Sequence, residues 1–331
     1  MLWFKARQML KKIEKELERL KKRLFYSSKA HKQLAKAQYQ LDNMPYELYD
    51  KITNDNFSVE IPIVKTLDET LNKLLQDKCS LCRFGDGEFV LMNGGRINYQ
   101  PRNGKLAARL KEVLESDLPD LIIALPPCFG ALDHYVPPVA DFWRKWASRK
   151  RELIYSFLDM KRVYYDAFFS RVYLHDHKTE EHYEKCSRYY EKAKKIWEGR
   201  DIVLCEGEGT RFGMFNDLLD GAASISRILC PSRNAFDKYD EILSAFNDVD
   251  NEKLILIALG PTATVLSYDL CKKGYQAIDT GAFDADYEWF LRKVELGVPL
   301  KFKYVDSGKE GRKVQRLDDP EYQKQIIKTI I

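Results

Sequence analysis

The chain has 331 residues, 45% of them hydrophobic and 31% charged, and carries a net charge of +4. That length accommodates one large or two smaller domains, and no apolar run approaches the ~20 residues a membrane-spanning helix needs. Seven cysteines, an odd count set mostly inside apolar runs (Cys79, Cys82, Cys205, Cys230), read as reduced core thiols of a cytoplasmic protein.

The first segment is chemically distinct. Residues 1–25 hold nine Lys or Arg against Glu14, Glu16 and Glu18, a net of +6, so the remainder of the chain is slightly acidic and does not read as a nucleic-acid binder. The start, Met1 to Leu10, is charged too early for a secretory signal. Leu10, Ile13, Leu17, Leu20 and Leu24 alternate at spacings of three and four, which on a helix makes one apolar stripe flanked by basic side chains. Such a helix packs on its own body or pairs as a short coiled coil. It also suits an anionic membrane surface at the inner face of the cell, with Trp3 and Phe4 as anchors.

Next comes the apolar run Cys79–Cys82, followed by Arg83-Phe84-Gly85-Asp86-Gly87-Glu88-Phe89. Glycines there let the backbone turn sharply where a strand should end. Asp86 and Glu88 supply hard oxygen ligands of the kind Mg²⁺ or Mn²⁺ prefers, although many surface turns carry two acids. Further apolar runs follow at 121–125, 201–205, 225–230 and 254–259. Helical patterns lie between and around them at 105–114, 139–149, 181–197, 236–246 and 264–273. Continuous apolar strands separated by helices predict a doubly wound α/β domain of Rossmann type with a mainly parallel sheet. The predicted bounds are 51–310, with 1–50 as a helical extension and 311–331 as a C-terminal tail in which Ile326, Ile327, Ile330 and Ile331 have helical spacing.

In such sheets the turns after the strands carry the chemistry. After Cys205 comes Glu206-Gly207-Glu208-Gly209-Thr210-Arg211-Phe212-Gly213, with glycines that leave room for a phosphate, a hydroxyl and a guanidinium. Its spacing is neither the dinucleotide fingerprint nor a P-loop, which disfavours a dehydrogenase or ATPase, and a plain surface turn reads almost as well. After Leu259, Gly260-Pro261-Thr262-Ala263-Thr264 opens a helix and suits an anion or simple capping. After Ile278, the acids Asp279, Asp284, Asp286 and Glu288 lie within ten residues beside aromatics. They read either as general-base candidates or as a solvated helix start.

Together these segments carry a resemblance. Arg83 to Glu88, Gly207 to Leu218, the Cys-Pro-Ser-Arg-Asn-Ala-Phe run from Cys230, Leu259 to Leu270 and Asp-Tyr-Glu-Trp-Phe (286–290) are similar, in order, to the bacterial GT-D-type glycosyltransferases, over about residues 60–305. Those enzymes build surface glycans and glycosylate serine-rich adhesins. The resemblance implies a nucleotide-sugar donor, typically UDP-linked, a glycan acceptor carried on lipid or protein, and Mn²⁺ or Mg²⁺ on Asp86 and Glu88. It implies donor contacts at Arg83, Phe84, Gly85, Gly207, Thr210, Arg211, Asn216, Gly260 and Thr262. Glu288 matches the family glutamate and is the first choice of catalytic base, with Asp284 second. One position departs: the family histidine after the glycine matched by Gly281 is Ala282 here. A non-catalytic partner subunit that keeps the fold and scaffolds a glycosylation complex is therefore the alternative expectation.

The chemistry agrees with the parts. A departing diphosphate needs a cation or Arg/Lys beside it, and an inverting transfer also needs a carboxylate to take the acceptor's proton. His175-Asp176-His177 with His182 offers a weaker zinc reading. Pro126 and Pro127 end a strand and suit the wall of an acceptor or nucleotide pocket. The aromatics from Tyr155 to Tyr173 read as core or as sugar-stacking faces.

Overall fold

A computed structural model describes residues 15, 19, 29–49, 59–306 and 310–331. The stripe Leu10, Ile13, Leu17, Leu20 and Leu24, and Trp3 and Phe4, lie outside the described residues. Among the described residues, nine strands form one sheet: β1 (Ile63–Val64), β2 (Ser80–Arg83), β3 (Leu121–Leu125), β4 (Val163–Asp166), β5 (Asp201–Gly207), β6 (Ser224–Cys230), β7 (Leu254–Ala258), β8 (Ala277–Asp279) and β9 (Ile326–Thr329). Their spatial order is β1-β4-β3-β2-β8-β7-β5-β6-β9, and every pairing is parallel. This is the doubly wound sheet expected from the continuous apolar runs.

Alternation along the strands explains how both faces are covered. Ile202 and Leu204 of β5 pack with Tyr190, Trp197 and Phe283 in one cluster. Val203 and Cys205, pointing the other way, pack with Ile242, Phe246 and Leu266 in another. Strands buried on both faces need helices on both, and the chain supplies α1 (Lys29–Glu47), α2 (Leu67–Asp77), α3 (Asp86–Met92), α4 (Gly104–Glu115), α5 (Pro137–Tyr155), α6 (Glu180–Lys194), α7 (Tyr239–Ser244), α8 (Pro261–Lys272), α9 (Phe283–Leu291) and α10 (Pro320–Gln325). Local chemistry fixes their ends. Thr66 caps α2 through a reciprocal pair, Glu69 N donating to Thr66 Oγ1 (3.2 Å) and Thr66 N to Glu69 Oε2 (2.9 Å). Lys78 closes the same helix in the left-handed region at φ 51°.

Helix α1 (Lys29–Glu47) is tied to the body through α5. Arg144 grips Glu47 with Nε and Nη2 (2.7 and 3.0 Å), Asn43 Nδ2 donates to Arg144 O (2.9 Å), and the Arg151 guanidinium lies 3.4 Å from the centre of the Tyr46 ring. No helix among the described residues is long and apolar enough to cross a membrane. All seven cysteines are free, six of them buried.

The C-terminus differs from its predicted helix. Only Pro320–Gln325 is helical, and Ile326–Thr329 continues as strand β9 beside β6. An otherwise open sheet edge offers a row of backbone partners, and β-branched isoleucines suit a strand. Those two terms outweigh the helical spacing. Arg227 secures the join: its Nε donates to Gln325 Oε1 (2.7 Å), its guanidinium lies 4.9 Å from the Tyr322 ring centre, and Nη1 meets Glu206 Oε1 at 2.5 Å, both partners of that pair being fully buried.

Candidate active site

The C-terminal ends of β2, β5, β7 and β8 open onto one cleft of about 580 Å³, well inside the range of ligand pockets (about 300–1,000 Å³). It is built from the turns that follow these strands, as a parallel sheet requires.

Asp86 opens α3 directly after β2 and faces the cleft. Glu88 lies two residues on, and its Oε2 accepts from Gly85 N at 2.7 Å. Neither carboxylate has a side-chain hydrogen-bond or ion-pair partner among the described residues. Burial pushes the Glu88 carboxyl up to about 7 and raises that of Asp86, against backbone N–H groups that work the other way. Two acids left short of positive charge at a cleft wall fit a divalent cation. Mg²⁺ is commonly held by one or two carboxylates plus substrate phosphates and water. The described residues hold no group of three or more His, Cys, Asp or Glu placed to enclose a metal alone, so phosphate and water oxygens would complete the set. The same finding leaves the His175, His177 and His182 reading without a cluster. His182 Nε2 instead lies 3.0 Å from Tyr173 O, within the fold.

Beside these acids stand two arginines with different duties. Arg83 is spent on the scaffold: Nε donates to Ala167 O (3.0 Å) and Nη1 meets Asp279 Oδ1 (3.3 Å). Asp279 also accepts from Gly281 N (3.0 Å), and burial raises its carboxyl, opposed by Arg83. Gly281 is required here. Its φ is +48°, and a side chain would collide with the Arg83 guanidinium. Arg171 lines the cleft and makes no side-chain hydrogen bond or ion pair among the described residues. It is an open cation near Asp86.

The β5 turn forms another wall through Gly207 and Thr210. A Cβ on Gly207 would stand 3.1 Å from Ser232 Cα and 3.3 Å from Thr210 Oγ1, so glycine lets the two turns meet. Gly260, at φ +55°, opens α8 and leaves room for Tyr99, whose ring would be 2.8 Å from an added Cβ. Residues 303–306 run past the β5 turn and line the cleft. They are tied there by Tyr304 N donating to Gly209 O (2.8 Å).

The structure redistributes several sequence-predicted residues. Arg83, Gly85, Asp86, Glu88, Gly207, Thr210, Gly260 and Asp284 share the cleft. Arg211 does not reach it. Its Nη1 donates to Phe302 O (2.7 Å) and Gln315 O (2.8 Å), so it holds the crossing segment rather than a phosphate. Thr262 is fully buried in α8, and Phe84 is buried and lines a neighbouring chamber instead. Asn216 sits behind the wall, its Nδ2 donating to Asp284 Oδ1 (2.9 Å) and Glu288 Oε2 (3.0 Å).

Glu288, the first choice of base, also stays off the cleft. Arg292 holds its Oε1 with two donors (2.9 and 2.5 Å), and Asn216 holds Oε2. Asp284, the second choice, lines the cleft, with Lys303 Nζ 2.8 Å from each of its oxygens. The two acids share one face of α9, and Asp284, one turn nearer its N-terminus, is the one that lines the cleft. Asp286 is structural: it accepts from Tyr173 N (2.7 Å) and Tyr190 OH (2.8 Å). Sequence reading missed Tyr99, Arg171 and Lys303, because each comes from a loop whose path depends on the fold. Ala282 lines the cleft at the N-terminus of α9.

A family model described as "Glycosyltransferase GT-D fold" matches residues 81–307. The chain belongs to the GT-D glycosyltransferase family. It is 36% identical over 268 residues to "Probable glycosyl transferase Gly" of Streptococcus gordonii, covering 80% of this chain and 38% of that protein. It is 33% identical over 293 residues to "Glycosyltransferase GlyD" of Streptococcus pneumoniae serotype 4, covering 88% and 35%. The chain thus spans less than two-fifths of the length of these curated relatives. Among solved structures it is similar to a glycosyltransferase domain from Streptococcus sanguinis (TM-score 0.77, 34% identity, 82% of this chain and 100% of that one). It is also similar to a domain described as having "a distinct glycosyltransferase fold" (TM-score 0.75, 37% identity, 81% and 95%). The fold and family read from the motifs are therefore those of the molecule.

Proposed function

We propose that this chain transfers a sugar from a nucleotide-sugar donor, UDP-linked, to a hydroxyl of a glycan acceptor in bacterial surface polysaccharide or glycoprotein synthesis. The observation that carries this is the pairing of Asp86 and Glu88, which lack compensating cations, with the open Arg171 on one cleft at the ends of β2 and β8.

Asp86 and Glu88 would hold Mn²⁺ or Mg²⁺, which when bound neutralises charge on the diphosphate. Arg171 supplies a guanidinium fork to the same group. Gly207 and Gly260 let Ser232 and Tyr99 close in around the cleft where a side chain would collide with them. The acceptor oxygen forms a bond to the anomeric carbon as the bond to the diphosphate oxygen breaks, and that oxygen leaves with the electron pair. The hydroxyl proton passes to Asp284, the carboxylate of α9 on the cleft wall. Residues 1–25 would bring the enzyme to an anionic membrane surface or to a second copy.

The test is UDP release from UDP-glucose, UDP-galactose and UDP-N-acetylglucosamine, with and without Mn²⁺, alongside calorimetric titration of UDP. Metal-dependent turnover of one donor supports the proposal. UDP binding with no turnover of any donor supports the non-catalytic partner instead. Asp284→Asn should lower turnover about 10²-fold or more while UDP still binds, and unchanged turnover removes Asp284 as proton acceptor.

A further inference from the structure

A second chamber, about 320 Å³, adjoins the cleft. The two share Arg83, Gly85, Asp86 and Arg171, so the chamber opens beside the proposed diphosphate site rather than elsewhere on the surface. Its far wall is the first turns of α5, with Phe142 and Trp143, and the loop after β4, with Phe168 and His175. We propose that this chamber is the acceptor subsite and takes a pyranose ring of the glycan. The inference rests on the transferase reading above and gives its glycan acceptor a place in the fold.

Three observations carry it. The lining is aromatic on one side: Phe142 stands edge-on to Trp143 (ring centres 5.0 Å, 78°), and Trp143 lies 5.6 Å from Phe168. Phe142 is 46% exposed, so part of a large apolar ring is left open at the chamber instead of being packed away. A pyranose has a C–H face that covers such rings and an edge of hydroxyls that does not. The far wall also carries one polar side chain, His175, whose Nδ1 is buried and has no hydrogen-bond partner among the described residues. Its backbone is fixed, since Val136 N donates to His175 O (2.9 Å), and its ring stands edge-on to Phe168 at 4.4 Å. An orphaned ring nitrogen in an apolar chamber costs free energy, and a sugar hydroxyl would satisfy it. Burial, reinforced by Arg171 and Lys178, drives the imidazole down to about 3, so the ring is neutral near pH 7 and can both donate and accept. The third observation is continuity. A hydroxyl at the shared wall of Asp86 and Arg171 faces the cleft in which the donor sugar must lie. A lipid chain would match the aromatics but leave His175 unpartnered.

Saturation-transfer NMR with the methyl β-glycosides of glucose, galactose and N-acetylglucosamine tests this without requiring turnover. Binding of at least one glycoside, lost in Phe142→Ala and in His175→Gln but retained in the surface variant Lys324→Ala, is the expected result. Circular dichroism and melting temperature check that both chamber variants fold. In transfer assays from the active donor, the same two variants should raise acceptor KM at least tenfold while the KM for the donor stays within twofold. Binding of none of the glycosides, their retention in both chamber variants, or competition by 1-octanol alone overturns the subsite. Glycoside binding by a protein that turns over no donor keeps the subsite and overturns the transferase reading, so the two failures differ.

Discussion

Two pairs of acids stand around one cleft, and the fold treats them differently. Asp284 and Glu288 arrive already compensated: Lys303 holds the first, Arg292 the second, and Asn216 bridges them. Asp86 and Glu88 have only backbone donors, and burial holds both above the usual carboxylate range. A carboxylate drawn partly out of water without a charged partner is unfavourable. Its persistence at a cleft wall is explained if a ligand brings the missing charge. The comparison teaches that partnering separates acids already balanced by the protein's own cations, Asp284 at the cleft wall among them, from acids left for a ligand's cation to balance.

The largest expected effect breaks the unpaired side. Asp86→Ala with Glu88→Ala should lower Mn²⁺-dependent UDP release by about 10³-fold or more and abolish the thermal shift caused by Mn²⁺ with UDP. Full activity in the presence of chelator would end the metal assignment. Breaking the paired side at Lys303 should act on stability as well as on turnover. Lys303→Met leaves Asp284 and Glu288 buried beside a lost cation, at a cost of about 3–5 kcal/mol, read as a fall in melting temperature. An unchanged melting temperature would show that the two acids need no such partner. The two arginines sharpen the contrast further. Arg171→Met, which removes an open cation, should raise the KM or lower kcat for the UDP-sugar by about ten- to a hundredfold. Arg211→Met, which frees two carbonyls, should do so far less and should mainly expose the segment around Phe302 and Gln315 to proteolysis.

The smallest effect concerns a buried acid with no ion-pair contact among the described residues. Asp166 accepts from Phe168 N, and burial pushes its carboxyl up to about 7. Between about pH 4 and pH 7 the folded state then binds more protons than the unfolded state. Stability therefore falls as pH rises through that window. Asp166→Asn should flatten this part of the melting-temperature profile, and an unaltered slope would show that Asp166 does not set it.

Much of the molecule is legible in the chain itself. Continuous apolar runs at 121–125, 201–205 and 254–259 dictate buried parallel strands, because only a sheet covered on both faces buries every side chain of such a run. The turn glycines mark where backbone must bend or lie close to something else, and the family motifs place Asp86 and Glu88 at the end of β2. The same reading fails where local pattern and tertiary context disagree. Ile326 to Ile331 has a helical spacing, yet the open edge of β6 recruits it as a strand. Arg211 sits in a phosphate-like turn, yet two carbonyls of a distant segment claim its guanidinium.

What the sequence by itself determined is the fold class, the family and the carboxylate pair of α3, since these follow from periodicity and contiguous motifs. Only the tertiary structure decided which acid of α9 faces the cleft, which arginine remains open and that a chamber lined by Phe142, Phe168 and His175 adjoins Asp86. Those facts depend on where along α9 the cleft opens and on contacts between residues far apart in the chain, such as Lys303 with Asp284 and Gly281 against Arg83, which local spacing does not encode.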